Sequence, residues 1–177
     1  MLLWAPGSDS ACPYASPITA LQIEYSLMSR GIEAEILPTV RELGIGVTAY
    51  GVMPRGLLDA STARSLGASD PRARFPRFQG GNLARNRDLV EALDAAAKQR
   101  DTTTAQVALA WVLSRGTDII PLIGTKRTER LRESLGALDL KLTEADLAGF
   151  EAAIPADQVA GSRYEAAQMG VLDSERR

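Results

Sequence analysis

Residues 118–138, DIIPLIGTKRTERLRESLGAL, decide how this chain is read: an apolar run breaks at Gly124-Thr125-Lys126-Arg127 and passes directly into a basic amphipathic segment. A continuous apolar run is how a parallel strand buried on both faces reads, here through Ile119, Ile120, Leu122 and Ile123. Gly124 allows a sharp turn where the strand stops. A helix is expected from near Thr128, with Leu131, Leu135 and Leu138 as its apolar stripe. The first-turn N–H groups of such a helix lack intrahelical partners and its dipole favours an anion, while Lys126, Arg127 and Arg130 bring cations to the same point. Strand, glycine turn and basic helix are also common in α/β proteins that bind nothing there. Two readings therefore stand, a phosphate site and a solvated basic face.

Working outward, the same alternation repeats. Ala20–Tyr25 reads as a strand and Ile32–Leu43 as a helix, with Pro38 expected at the first position of its main part and Gly44 closing it. Ile45–Tyr50 is the next strand, and it runs into Gly51-Val52-Met53-Pro54-Arg55-Gly56, a turn rich in glycine and proline. From Asp59 to Asn86 no period is sustained, so a long loop is expected, followed by helices over Asp88–Arg100 and Thr104–Ser114. Thr143-Glu144-Ala145-Asp146 has the form of a capping box opening a last helix that buries Leu147, Phe150 and Ile154, while the tail beyond Pro155 is weakly patterned. Strands alternating with helices predict parallel pairing through right-handed crossovers, with ligands at the carboxyl ends of the strands.

Composition narrows the chemistry. The 177 residues include 45% hydrophobic ones and carry a net charge of -2, enough for one cored domain and too little positive charge for broad attraction to nucleic acid or an anionic membrane. An arginine-rich reading through Arg72, Arg74, Arg77, Arg85 and Arg87 with Phe75 and Phe78 between them ranks low for the same reason. There is no histidine and one cysteine, Cys12, so histidine-dependent triads and His or Cys metal sites are excluded within this sequence, and no metal ligand set is expected. The start MLLWAPGSD lacks a basic n-region and no apolar stretch reaches membrane-spanning length, which predicts a soluble cytoplasmic chain.

Four motifs in order, LQIEYSLMSRGIE (21–33), ILPTVRELGIGVTAYGVMPRGLL (36–58), RFPRFQGGNLARN (74–86) and PLIGTKRTERLRESLGALDLKLTEADL (121–147), resemble the C-terminal half of the aldo/keto reductase family. The resemblance runs from about Ile18 to Glu175, leaving 1–17 as a non-matching leader and 18–177 as a partial reductase domain. It implies an α/β fold, the last three βα units of a (β/α)₈ barrel, and NADPH-dependent reduction of small aldehydes or ketones. Carried onto this sequence, the resemblance gives Gln22 to the nicotinamide carboxamide and Tyr50 to the ring face, tasks suited to an amide and a flat π surface. Taken without the resemblance, Gln22 reads as a solvent-facing strand residue and Tyr50 as a core aromatic. Gly51, Val52, Met53 and Gly56 match the turn along the pyrophosphate, where the family more often has Ser-Pro-Leu-Gly. Gly124, Thr125, Lys126 and Arg130 match the positions around the 2′-phosphate and adenosine of NADP, and Glu133 and Ser134 match a Glu-Asn pair near the adenine. The two cations imply a preference for NADPH over NADH.

The family's chemistry uses an Asp-Tyr-Lys-His group, and nothing after Ile18 resembles it; no catalytic residue is expected. Asp9 and Tyr14 have the D-x₄-Y spacing of the family's acid tyrosine, but only five residues separate Tyr14 from the strand at Ala20, too few for the intervening units. A barrel also needs about 250 residues. Three strands cut from one would expose unpaired edges, so self-association or a completing chain is expected as partner. The alternative reading is a non-catalytic NADP-binding or protein-interaction module.

Overall fold

In the computed structural model, which describes residues 18–65 and 69–172, three parallel strands form one sheet in the order β1-β2-β3: Ala20–Glu24, Gly46–Tyr50 and Ile119–Pro121. Gln22 pairs with Thr48 and Glu24 with Tyr50, while Val47 lies beside Ile119 and Thr48 beside Ile120. Strand residues alternate between faces, so Leu21, Ile23, Val47, Ala49 and Ile119 share one side and Gln22, Thr48 and Ile120 the other. The first side is the packed one. Val47, Ala49 and Ile119 lie in a core shared with Tyr25, Val107, Leu109, Trp111, Val112 and Ile154.

Helix α1 (Ile36–Glu42) opens two residues before the expected proline position, and Pro38 sits inside its first turn, where a missing N–H costs no intrahelical bond. It ends with Gly44 at φ 67, where Gly44 N–H donates to the Arg41 carbonyl and Ile45 N–H to that of Val40. This left-handed stop reverses the chain straight into β2. Arg41 pairs with Asp118 at 2.8 Å, tying α1 to the segment that enters β3 and holding the Asp118 carboxyl below its usual range.

The stretch expected as one long loop is more structured than its sequence suggests. It contains α2 (Ala60–Ser65) and two short 3₁₀ turns at Pro71–Arg74 and Pro76–Phe78, and α3 (Gly80–Lys98) begins eight residues before the expected helix start. Gly80 and Gly81 disfavour a helix locally, but Asn86 is buried and donates to the carbonyls of Arg77 and Ala160, so tertiary contacts outweigh propensity. Arg77 and Phe78 are buried too, which separates them from the exposed Arg74 and Arg85.

Helix α4 (Thr104–Ser114) has the predicted bounds, opened by a Thr103 and Gln106 capping box. It packs on β3 and on α5 (Thr128–Leu135), and α3 packs on α6 (Glu144–Ala153). Thr143 caps α6 as read, and Phe150 and Ile154 are buried with Leu147 half-buried. A short α7 (Ala166–Met169) follows.

Two expectations of burial fail. Of the apolar run, only Ile119 is buried; Ile120 is 61% exposed and Leu122 and Ile123 are about as open as each other at 40% and 41%. The stripe on α5 is also uncovered, with Leu131, Leu135 and Leu138 all exposed and no α5 residue buried. The pattern was that of two-sided burial, but among the described residues Ile120, Leu122 and Ile123 are left uncovered. Among the described residues no helix is long and apolar enough to cross a membrane.

Candidate functional site

The carboxyl ends of β2 and β3 open into a cleft of about 530 Å³. One wall is the turn after β2, where Gly51, Arg55 and Gly56 all have positive φ, of 68°, 54° and 83°. The glycines take this conformation without the Cβ clash that any other residue would meet, and Arg55 is a strained exception. Gly51 is also pressed against β1, since a Cβ there would lie 2.9 Å from the Glu24 Cγ. The opposite wall is the turn after β3. It is held to β2 by the Leu122 N–H donating to the Ala49 carbonyl at 2.8 Å, and a Cβ on Gly124 would meet nothing within 4 Å.

Nine residues singled out from sequence line this one cleft: Gly51, Val52, Met53, Gly56, Gly124, Thr125, Arg130, Glu133 and Ser134. They come from segments about 70 residues apart in the chain, and the parallel register brings them together. The α5 N-cap, Arg127, makes no side-chain cap bond, so the first-turn N–H groups carry no capping side chain. The Gln106 side chain donates to the Glu133 carbonyl at 3.0 Å, fixing α5 to α4 and thereby fixing the cleft wall.

Three of the sequence candidates lie outside this lining. Lys126 is exposed on the turn before α5. Gln22 is exposed in mid-strand on the open side of the sheet, and Tyr50, at the end of β2, is half-buried beside Glu24. Burial and a hydrogen bond with Tyr164 push the Tyr50 phenol up to about 12. Asp9 and Tyr14 lie outside the described residues.

Sequence reasoning missed the groups that face Arg130 across the cleft. Asp59 Oδ2 lies 3.4 Å from an Arg130 terminal nitrogen and closes an ion pair between the two walls. Burial pushes the Asp59 carboxyl up, but hydrogen bonds from Ser61 and Thr62 outweigh it and hold the group below its ordinary range. Arg72 lines the cleft as well, donating to the Arg55 carbonyl at 2.8 Å while Asp70 grips its guanidinium. An Asp-x-Ser-Thr start to α2 was the available signal for Asp59, being a helix-capping pattern just past the glycine turn. No local signal marked Arg163 and Tyr164, which come from the tail to pair with Glu24 and to lie against Arg55. Among the described residues no group of His, Cys, Asp and Glu is assembled to hold a metal ion.

Comparison with known proteins identifies the family. The model of the aldo/keto reductase family matches residues 11–155, a span that begins inside the stretch read above as a leader. A probable aldo-keto reductase 1 from Glycine max is 43% identical over 149 residues, covering 84% of this chain and 43% of that protein. Among solved structures, a glycerol dehydrogenase from Gluconobacter oxydans superposes with TM-score 0.70 at 26% identity, covering 78% of this chain and 42% of its own. A thermostable aldo-keto reductase in complex with the inhibitor epalrestat shares the fold at TM-score 0.55 and 22% identity, over 77% of this chain and 40% of its own. The chain thus spans less than half the length of these relatives, whose fold is the (β/α)₈ barrel. With the family's model matched across most of its length, this chain belongs to the aldo/keto reductase family.

Proposed function

We propose that this chain is the NADP(H)-binding part of a carbonyl reductase, corresponding to the last three βα units of the barrel, and that it lacks the Asp-Tyr-Lys-His group that would complete the reaction. The observation that carries this reading is the single cleft shared by the glycine turn after β2 and the uncapped start of α5. The donor set suits a phosphorylated dinucleotide. Glycines 51, 56 and 124 let backbone N–H groups approach a pyrophosphate closely, and Arg130 with Thr125 and the neighbouring Lys126 supplies charge and hydrogen bonds for a 2′-phosphate. When bound, NADPH supplies the hydride that reduces a carbonyl carbon. The chain's own residues then hold and orient: Tyr50 and Gln22 toward the nicotinamide, Glu133 and Ser134 toward the adenine. Arg130 must exchange Asp59 for the phosphate, so Asp59 competes for the same guanidinium. A small carbonyl compound as substrate and a cytoplasmic setting belong to the same proposal.

NADPH binding is read by quenching of Trp and Tyr emission. Lys126→Ala is expected to weaken NADPH about tenfold or more, the loss of one charge-assisted contact, and to leave NADH nearly unchanged. No quenching by millimolar cofactor would sink the reading. Robust NADPH-dependent turnover of an aldehyde panel by the purified chain would overturn the absence of a catalytic group. A second reading, a binding or interaction module, is favoured by one observation: Ile120 and Leu122 at β3 and Leu131 and Leu135 on α5 are all exposed, apolar surface suited to a completing chain or to self-association.

A further inference from the structure

Arg55 lines the cleft in a conformation that is unfavourable for any residue with a Cβ: φ 54 and ψ 31, between Gly51 and Gly56, which also have positive φ. Such a residue persists only where its surroundings over-determine it. Here they act on both its backbone and its side chain. The Arg55 carbonyl accepts from Arg72 at 2.8 Å, while the Arg55 guanidinium lies 3.8 Å from the centre of the Phe75 ring and 4.9 Å from that of Tyr164. The two rings meet edge to face with their centres 6.5 Å apart. The same guanidinium donates to the Arg163 carbonyl at 3.3 Å, so two consecutive tail residues hold one arginine of the turn.

The tail is itself anchored outside the turn. Arg163 is 2% exposed, and its guanidinium lies 2.9 Å from the Oε2 of Glu24, itself 4% exposed at the end of β1. Asn86 donates to the Ala160 carbonyl and accepts from the Ala160 N–H, both at 2.9 Å, and Arg77 donates to the Gly161 carbonyl at 3.3 Å. Gly161, at φ 79, is so close to this stretch that a Cβ on it would lie 2.8 Å from the Pro76 carbonyl carbon. A buried ion pair is a weak source of stability, because desolvation of both charges offsets most of their attraction. Its use here is geometric. Glu24 is also the residue pressed on Gly51, so the tail reaches the turn twice, at Gly51 through Glu24 and at Arg55 directly.

We infer that the tail is a clamp on the glycine turn: Arg163 and Tyr164 are positioning residues that hold residues 51–56 in the shape whose N–H groups meet a pyrophosphate, a role that rests on the function proposed above for that turn. The adenosine end, on the α5 wall, is independent of the clamp.

The test uses the whole chain and two variants: Tyr164→Leu removes the ring beside Arg55, and Tyr164→Phe keeps it. Without ligand, backbone hydrogen exchange reads the turn through the amides of Gly56 and Leu57, which donate to the Met53 and Pro54 carbonyls. In Tyr164→Leu these amides are expected to exchange about three- to tenfold faster, the range of one cation–π contact, with α4 amides unchanged and with wild-type rates restored in Tyr164→Phe. An unmoved turn overturns the clamp, and so does an equal acceleration in α4, which would mean a general loss of stability. Calorimetric titration then compares NADPH with adenosine 2′-monophosphate, which carries the 2′-phosphate and adenine but no pyrophosphate. Tyr164→Leu is expected to raise the NADPH dissociation constant several-fold and to leave that of adenosine 2′-monophosphate unchanged, with Tyr164→Phe near wild type. Equal losses for both ligands, or unchanged NADPH binding, would overturn the positioning role. The two failures are separable: a wild-type chain that binds NADPH no more tightly than adenosine 2′-monophosphate removes the pyrophosphate role of the turn, and the positioning role with it, even where the exchange rates show the tail holding the turn.

Discussion

The two sides of the same three strands could hardly differ more. On one, Val47, Ala49 and Ile119 are at most 2% exposed beneath the Trp111 core; on the other, Ile120 is 61% exposed next to Gln22 and Thr48. Sequence neighbours Ile119 and Ile120 have the same side chain and opposite fates. Hydrophobicity sets which residues can be buried, and only the presence of a covering layer sets which ones are. Among the described residues, helices cover one side of the sheet and leave Ile120 on the other side exposed.

The sharpest way to break this comparison is at the packed side. Trp111 is fully buried, meets the Tyr25 ring at a tilt with centroids 5.2 Å apart and donates to Glu151, so Trp111→Ala should destabilise the chain by about 3–5 kcal/mol, read from the denaturant midpoint. A loss under about 1 kcal/mol would mean that this core is not what holds the fold. Next comes the seam between the sides. Gly51→Ala puts a Cβ 2.9 Å from a Glu24 side chain that its ion pair holds in place, at a φ that costs an L-residue about 1–2 kcal/mol, so a loss of at least that size is expected together with weaker NADPH binding.

Alkaline titration probes both sides in one experiment. Tyr25 on the packed side is pushed up by burial and by its bond to Glu33, and Tyr50 is pushed up to about 12 by burial and Tyr164. Both folded values lie above the unfolded phenol value of about 10. The unfolded chain therefore loses protons first, and stability should be full below about pH 10 and decline as pH rises from 10 through 12. A denaturation midpoint that stays flat across that window would contradict the burial of both rings. The smallest effect is expected on the open side: Ile120→Thr should change stability by less than about 0.5 kcal/mol, as for an exposed residue, and should reduce any self-association seen in sedimentation. A loss above 2 kcal/mol would show that a second copy already covers this side.

How much was legible follows the range of the interactions involved. Helix α4 could be bounded at both ends because its cap is local, Thr103 with Gln106, and its stop is Gly116. The stop of α1 at Gly44 was equally local. The first two turns of α3 were not legible, because Asn86 there answers to Ala160, 74 residues away. Nor was the Asp59 pair to Arg130, which exists only when two strand ends lie side by side. The glycine turns and basic helix start of the site were readable one by one as residue types, whereas Arg163 and Tyr164 gave no sign from the tail.

By itself the sequence determined the alternation of strand and helix and the parallel sense of the sheet, because periodicity, glycine turns and caps act between near neighbours, and its four motifs carried the resemblance to the family and to nine of the residues that line the cleft. The tertiary structure decided which apolar residues are covered, where the tail docks, and that Arg130 faces Asp59. Those outcomes depend on elements far apart in the chain meeting in space, and on a second layer being present to exclude water.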